Sequence, residues 1–409
     1  MMTTALPTPM RIVLCHKGSD WDARRGPVAL ALEELLVGDP TRGCDDLGFL
    51  MDLTAAIPLG GELYVRAYTT APTKPPEVGD FLDEVLHTLV VPLIDPELLA
   101  DPDFIEWLSA VARHPSTAAE RHRLIAVARS DESLRAWTRL PEDLGLRDFQ
   151  VLDFASLGES DERVERLALR LLGDVSQAAA FGRGESYDWR LKLFVSHAKW
   201  DGLSVAKSLR DLVTEFAWLD GFYDARSLDS RGHWDKQLRH AVTSSVVVAF
   251  RTDAYDHRPW CRNEMRWAEQ RGVPIVCVDA RHGLVHAPSG LAFELAPCVR
   301  ILDGNLMRVL QAALRAGARA QLFRRRIHAL REAGLLPEPD PYLITSTVGL
   351  EAIGAAAMAL RSAPEPRWIC YPDPVLPKET LEVAQLLAAG VGARLTTPSQ
   401  LLAGAGGSA

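Results

Sequence analysis

The segment Pro-Trp-Cys-Arg-Asn-Glu, residues 259–264, holds the two side chains of this sequence that are best suited to chemistry. Proline is favoured at the first position of a helix because its fixed φ and missing N–H suit the first turn. We therefore predict a helix that begins at Pro259, with Trp260 and Glu264 one turn apart on the same face. A carboxylate in such a place can stabilise a developing positive charge, and an indole can stack on a flat ring. The alternatives are a solvated charge for Glu264 and a core position for Trp260.

Alternating apolar and amphipathic segments predict the scaffold that positions this pair. Short apolar runs are followed by helix-length segments, a pattern typical of βα units around a parallel sheet. Five strands wound by helices describe a flavodoxin-like, doubly wound α/β fold, whose ligands bind at the carboxyl edge of the sheet. The predicted strands are 191–196, one ending at 222–224, 245–250, 273–279 and 299–303, and the predicted helices are 203–216, 234–243, one from Pro259 and one from about 305.

The first half of the chain repeats this pattern with few identical residues. Residues 89–93 resemble 246–250, and Pro102 resembles Pro259, both at an offset of 157 residues. The other matched segments are 12–15 with 194–196, 124–127 with 275–278 at an offset of 151, and 151–153 with 301–303 at an offset of 150. Their common order and slowly drifting offset favour a diverged duplication. The alternative is that any two doubly wound domains would align loosely.

The first copy departs from the second at the chemical pair. At the offset of 157, Trp260 corresponds to Asp103, and Glu264 corresponds to Trp107. Glu106 comes one residue early, which rotates it about 100° around the helix and off the face. We therefore predict that the first copy keeps the fold and is catalytically silent.

These patterns divide the chain into three predicted domains, at 1–180, 187–335 and 340–402. The small polar stretch 181–186 is interpreted as a linker. The last segment has only about 60 residues, so we expect it to pack against the second domain or another chain. Its predicted strands are 342–345, 368–371 and 394–397, and its predicted helices are 350–361 and 377–389.

Composition and charge narrow the function class. A chain of 409 residues is too long for one ordinary core, so two or three domains are expected. The net charge of −9 argues against a general binder of nucleic acid or of anionic membranes. Six cysteines without a CxxC or a Cys/His cluster predict neither a metal site nor a disulfide framework. Because we find no signal peptide and no apolar run long enough to span a bilayer, we expect a cytoplasmic protein.

Five motifs lie between about residues 190 and 310. They are FVSHAKWD at 194–201, FYD at 222–224 followed by Gly232 and Trp234, SSVVVAF at 244–250, PWCRNE at 259–264 and GVPIVCV at 272–278. The most specific is the Trp-x-x-x-Glu spacing behind a strand, a loop and a proline. Together the motifs resemble the Toll/interleukin receptor (TIR) domain, especially its bacterial members, over somewhat under a third of the chain.

The resemblance implies either an enzyme or a scaffold. Some TIR domains cleave NAD⁺ at the nicotinamide–ribose bond, and others only assemble. In the enzymes, a glutamate at the position of Glu264 is the essential acidic group, and this sequence has it. NAD⁺ would be the substrate, with no separate cofactor and no metal.

The resemblance also implies substrate-binding positions besides Trp260. It places His197 and Ala198 at the rim of the pocket, Asp224 at the end of the second strand, and the aromatic Trp234 in the loop that follows. The alternatives are a polar cap of the strand end for His197 and a turn-capping role for Asp224.

One carboxylate is enough for the implied reaction. Ordinary glycosidases need a second carboxyl group to protonate a poor leaving group. Cleavage of NAD⁺ instead expels neutral nicotinamide from a cationic ring, so the leaving group needs no proton. Glu264 would hydrogen-bond the ribose hydroxyls and stabilise the oxocarbenium-like charge.

The leading hypothesis is an NAD⁺-cleaving TIR effector of a bacterial antiphage defence or signalling pathway, activated by self-association of TIR domains. A partner protein or a nucleotide signal would be the trigger. The first copy would be regulatory, and the C-terminal unit would be a sensor or assembly element. The alternatives are a non-enzymatic scaffold and a cyclase that makes a cyclic ADP-ribose messenger.

Overall fold

A computed structural model describes residues 8–17, 28–37, 63–118, 121–159, 162–181, 190–216, 219, 222–223, 240–242, 245–281, 298–301, 306–345, 349–373, 376 and 378–406. The described residues up to 181 belong to one compact unit, and those from 190 onward belong to a second. Most of the predicted linker (181–186) and of the predicted helix 234–243 lies outside these ranges.

The first unit is built on a six-stranded parallel sheet in the order β2-β1-β3-β5-β6, with β4 beside β3. Its central strand β3 is apolar over most of its length and buried apart from one residue, as expected of a strand covered on both faces. The strands are β1 (Thr8–Cys15), β2 (Leu63–Tyr68), β3 (Val85–Ile94), β4 (His122–Leu124), β5 (Ala126–Ala128) and β6 (Val151–Asp153).

Helices connect these strands. Helix α4 (Pro102–Arg113) has both features expected of a helix start. Pro102 occupies its first turn, and the Asp101 carboxylate accepts hydrogen bonds from the N–H groups of Asp103 and Phe104 at 2.9 and 3.2 Å. The described helices are α1 (Val28–Val37), α2 (Val78–Asp83), α3 (Pro96–Leu99), α4 (Pro102–Arg113), α5 (Pro115–Ala118), α6 (Asp131–Thr138) and α7 (Arg163–Phe181), with short 3₁₀ turns at Pro75–Glu77, Glu142–Leu144 and Phe154–Leu157.

The second unit contains a five-stranded parallel sheet in the order β11-β10-β9-β7-β8. Every residue of its central strand β9 is buried. The strands are β7 (Leu193–His197), β8 (Phe222–Tyr223), β9 (Val246–Arg251), β10 (Ile275–Asp279) and β11 (Cys298–Arg300). The helices associated with this sheet are α8 (Leu203–Thr214), α9 (Pro259–Gln270) and α10 (Leu306–Glu332), with a 3₁₀ turn at Tyr255–His257.

In the first sheet β4 and β5 both pair with β3 and are separated by one residue, so they fill one strand position. Counted in this way, both sheets have the strand order 2-1-3-4-5 of flavodoxin-like α/β folds, which confirms the predicted fold class. Their registers also correspond. Cys15 pairs with Pro92 in the first sheet, Ser196 pairs with Ala249 in the second, and positions 92 and 249 are 157 residues apart. The offset predicted from sequence therefore holds in space at the centre of both sheets.

The fifth strand of the second sheet lies earlier than the predicted match. Val127 pairs with Leu152, and its counterpart Val278 pairs with Val299, so the structural offset is 147 rather than 150. The sequence match relied on apolar character, whereas the pairing of β11 with β10 fixes the register.

A three-stranded parallel sheet in the order β12-β13-β14 completes the second unit. Its strands are β12 (Tyr342–Leu343), β13 (Arg367–Cys370) and β14 (Ala393–Thr396), and its helices are α11 (Leu350–Leu360), α12 (Lys378–Ala389) and α13 (Pro398–Gly406). The end of α9 is joined to this sheet, because the Thr345 hydroxyl donates to the carbonyl of Gly272 at 2.8 Å. Gly272 has a φ of +58°, a conformation that favours glycine.

Within the described ranges, no helix combines the length and the apolar character that a membrane crossing requires.

Candidate active site

Glu264 lies on the face of α9 that packs toward the five-stranded sheet. The helix begins at Pro259, as predicted. Its buried residues recur at helical spacing, which is the pattern of a helix with one face against a core. They are Cys261, Glu264, Met265 and Ala268. A glutamate among three apolar residues is the exception that calls for an explanation, because a carboxylate loses its hydration when it is buried.

The buried carboxylate has a specific partner. Only 6% of Glu264 is exposed, and its Oε2 accepts a hydrogen bond from the Ser196 hydroxyl at 2.5 Å. Ser196 Oγ is also 2.6 Å from the hydroxyl of Tyr255. Ser196 and Tyr255 are each 1% exposed. Three polar side chains from β7, from the turn before α9 and from α9 itself thus form one buried hydrogen-bonded group.

Burial dominates the electrostatics of Glu264. Loss of solvent raises the pKa of its carboxyl from 4.5 to about 7, and the hydrogen bond from Ser196 and the charge of Lys199 oppose that rise. A nearby cation would favour the ionised form. A carboxyl whose pKa is close to neutrality, in a pocket, is a common sign of a functional group.

A pocket of about 460 Å³ opens beside Glu264, within the size range of small-molecule sites. It lies at the carboxyl end of β7 and beside the first turns of α9, at the edge of the sheet where ligands of doubly wound folds bind. The residues that line it are Val195, His197, Ala198, Lys199, Trp200, Arg258, Pro259, Trp260, Cys261 and Glu264.

Four of the six predicted site residues meet at this pocket: Glu264, Trp260, His197 and Ala198. The other two, Asp224 and Trp234, lie outside the described residues.

Trp260 lies at the surface of the pocket. It is 47% exposed and meets the ring of Trp267 edge-on, with centroids 6.5 Å apart and planes at 61°. The alternative of a core position for Trp260 is therefore wrong.

Asp201 directly follows the pocket-lining residues Ala198, Lys199 and Trp200. Its two carboxylate oxygens accept hydrogen bonds from the Thr252 hydroxyl at 2.7 Å and from the Ala254 N–H at 2.9 Å. The loop after β7 is thereby tied to the loop after β9. The first loop includes the lining residue Ala198, and the second leads to Arg258 and Pro259 at the start of α9.

Cys261 lines the pocket as a neutral thiol. Burial and the nearby Glu264 raise the pKa of its side chain to about 12. A thiol with so high a pKa is a poor nucleophile at neutral pH.

Sequence reasoning missed Ser196, Tyr255, Lys199 and Arg258. Ser196 lies inside the FVSHAKWD motif, so a polar residue at the end of an apolar strand was a usable signal. Tyr255 carried no comparable signal, because its role depends on a hydrogen bond to a residue 59 positions away.

The first unit fills the three equivalent positions with apolar side chains. The offset of 157 makes Leu98 the counterpart of Tyr255 and Trp107 the counterpart of Glu264, and the register makes Cys15 the counterpart of Ser196. Cys15, Leu98 and Trp107 are fully buried in one apolar cluster. Glu106 is exposed, as its predicted rotation off the face requires.

No family model matches this sequence, and a search of curated proteins finds no match. In the described part of the chain, no group of three or more His, Cys, Asp or Glu side chains is arranged to hold a metal ion.

Proposed function

We propose that this protein cleaves NAD⁺ at the nicotinamide–ribose bond, with Glu264 as the catalytic group. The observation that supports the proposal is a buried carboxylate in an open pocket, beside the exposed ring of Trp260. The Trp-x-x-x-Glu motif of the NAD⁺-cleaving TIR domains supplies both side chains.

The electrostatics of Glu264 suit a cationic substrate. Burial destabilises the free carboxylate, and the nicotinamide ring of NAD⁺ brings a positive charge that would offset this cost. When the glycosidic bond breaks, its electron pair leaves with neutral nicotinamide, and positive charge develops on the ribose. Glu264 would stabilise that charge. Water then adds to the ribosyl carbon and releases a proton.

Other side chains of the pocket suit the rest of the substrate. The exposed indole of Trp260 provides a flat apolar face for an aromatic ring. Lys199 and Arg258 place two cationic groups on the lining, and these would attract the diphosphate. His197 and Ala198 would contact substrate at the rim, and Asp224 and Trp234 keep the substrate-binding roles implied by the TIR resemblance.

The decisive experiment is incubation of the full chain with NAD⁺ and measurement of nicotinamide release. Glu264→Ala and Glu264→Gln are expected to lower kcat/KM by about 100-fold or more, the usual loss when an electrostatic group of the transition state is removed. Glu106→Gln is the matched control, because it removes an exposed carboxylate one position before the counterpart of Glu264. Cleavage that survives in Glu264→Ala would show that this residue is not the catalytic group.

The products separate the remaining alternatives. Mass analysis distinguishes ADP-ribose, the expected product, from a cyclic form that would indicate a cyclase. A specific activity that rises with protein concentration would support activation by self-association. Absence of turnover at every concentration, with and without crowding agents, would favour a non-enzymatic scaffold.

The biological setting belongs to the same proposal. An NAD⁺-cleaving effector held inactive until its chains associate suits antiphage defence or signalling in the cytoplasm, with a partner protein or a nucleotide as trigger. In the described ranges, Cys15 and Cys261 are free thiols, the form expected in a reducing compartment.

A further inference from the structure

We propose that Ser196 is a positioning residue for Glu264 and that Tyr255 acts through Ser196, so that one carboxylate oxygen is held and the other is left for the ligand. This inference deepens the proposed function and rests on it for its kinetic test. Its spectroscopic test does not depend on catalysis.

The geometry of the three side chains sets the direction of the hydrogen bonds. Burial raises the pKa of the Tyr255 hydroxyl well above its ordinary value, so Tyr255 keeps its proton. Its hydroxyl then donates to Ser196 Oγ at 2.6 Å, and Ser196 donates to Glu264 Oε2 at 2.5 Å. An ionised carboxylate only accepts hydrogen bonds, so this is the arrangement that satisfies all three groups when Glu264 is charged.

The chain of hydrogen bonds occupies one oxygen of the carboxylate. Among the described residues, Ser196 is the one side chain that donates to Glu264, and it does so at Oε2. Glu264 also lines the pocket, which leaves Oε1 as the oxygen available to a ligand. A hydrogen bond to one oxygen restricts the rotation of the carboxylate, and a catalytic group held in place needs little reorganisation in the transition state.

The first unit supports treating the three residues as one set. At the same three positions it has Cys15, Leu98 and Trp107, which are packed together without a carboxylate. A serine and a tyrosine hydroxyl in a buried site are costly unless they are hydrogen-bonded. In the second unit the Tyr255–Ser196 and Ser196–Glu264 hydrogen bonds meet that requirement, so the three polar residues are consistent with one group.

The inference predicts how the carboxyl of Glu264 responds to its neighbours. The hydrogen bond from Ser196 opposes the effect of burial on its pKa. Removing the hydroxyl should raise that pKa by roughly one unit or more, since hydrogen bonds to charged groups are among the strong ones. Removing the Tyr255 hydroxyl should act in the same direction but less, because Tyr255 reaches the carboxylate through Ser196.

The kinetic test measures kcat/KM for NAD⁺ cleavage against pH for the full chain. The wild type should rise with pH and inflect near 7, where Glu264 ionises. Ser196→Ala should inflect about one unit higher and be roughly tenfold slower below the inflection. Tyr255→Phe should show a smaller shift, and the double variant should match Ser196→Ala. Ser208→Ala, which removes an exposed hydroxyl of α8, should leave the profile unchanged.

The second readout is a pH titration of the carboxylic acid band in the infrared difference spectrum, assigned by its loss in Glu264→Gln. The same upward shift is expected in Ser196→Ala. This measurement decides the inference even if the wild type cleaves no NAD⁺, and it requires only that the variants fold, which a thermal melt verifies. An unchanged midpoint in Ser196→Ala, or a larger shift in Tyr255→Phe than in Ser196→Ala, would overturn it.

Discussion

The two flavodoxin-like sheets of this chain share a strand order and a central register, yet they treat three equivalent positions in opposite ways. In the second unit these positions hold a serine, a tyrosine and a glutamate joined by two hydrogen bonds. In the first unit they hold Cys15, Leu98 and Trp107 in an apolar cluster. The same scaffold therefore supports either a polar group beside a pocket or a closed core.

In the first unit, the buried side chain of Trp107 contributes to stability. Trp107 is fully buried, meets the ring of Phe81 edge-on with centroids 5.9 Å apart, and donates its indole N–H to Thr73 at 3.2 Å. Burial of a large aromatic side chain is one of the larger stabilising contributions in a small core. The second unit has the carboxyl of Glu264 at the equivalent position, where burial of its charged form lowers stability. Such an exchange of stability for chemistry is common at functional sites.

Among substitutions that test this contrast between the units, Trp107→Ala is expected to change the free energy of unfolding most. It should lower the free energy of unfolding of the first unit by about 3 to 5 kcal/mol, because it removes a buried aromatic side chain and leaves a cavity. Native-state hydrogen exchange of the α4 amides measures this change in the unit itself. Glu106→Ala, which alters the exposed neighbour on the same helix, should change it by less than about 0.5 kcal/mol. A small effect of Trp107→Ala would mean that the first unit does not depend on its closed core.

Glu264→Gln is expected to raise the free energy of unfolding, by an intermediate amount. The folded pKa of Glu264 is raised from 4.5 to about 7, so its contribution to stability is fully present below about pH 4.5 and is lost as the pH rises through 7. The glutamine variant has no such loss. It should therefore be more stable than the wild type by roughly 2 to 3 kcal/mol at pH 8, and by much less at pH 5.

Urea-induced unfolding at the two pH values measures the Glu264→Gln effect. Glu106→Gln, which removes an exposed carboxylate of the first unit, should differ from the wild type by well under 1 kcal/mol at either pH. A glutamine variant that is less stable than the wild type at pH 8 would show that the carboxylate of Glu264 contributes to the fold instead of weakening it.

The smallest effect is expected from Cys15→Ser. This change introduces the hydroxyl of the second unit into the first, where Cys15 is fully buried in an apolar cluster. The free energy of unfolding should fall by about 1 to 2 kcal/mol. Hydrogen exchange of the β1 amides is the measurement. A neutral result would indicate that the first unit tolerates a polar group at this position and that the contrast between the units is not imposed by packing.

Much of the scaffold was predictable because it depends on local patterns. Helix α9 begins at Pro259 as predicted, and helix α10 begins at Leu306 beside the predicted 305. Strand β9 spans Val246–Arg251 against a predicted 245–250. Proline geometry and the period of apolar residues act within a few positions, so a single sequence carries them.

The candidate site was predictable only in part. Glu264 and Trp260 follow from their spacing on one helix, and both line the pocket. Ser196 and Tyr255 were missed because their contacts join distant parts of the sequence. The Ser196–Glu264 hydrogen bond spans 68 residues, and the Tyr255–Ser196 hydrogen bond spans 59. The predicted strand 299–303 overlaps β11, but the match of 301–303 with 151–153 was three residues in error, because strand pairing and not apolar character aligns the two sheets.

By itself the sequence determined the two alternating βα patterns, the helix that begins at Pro259, and the single glutamate that one copy has and the other lacks. Only the tertiary structure decided that Glu264 is buried with Ser196 as its donor while Trp260 is exposed at the rim. The reason is physical. Secondary structure follows from backbone conformation and side-chain period over short distances, whereas the burial and protonation of a carboxyl depend on which distant strands and loops are packed around it.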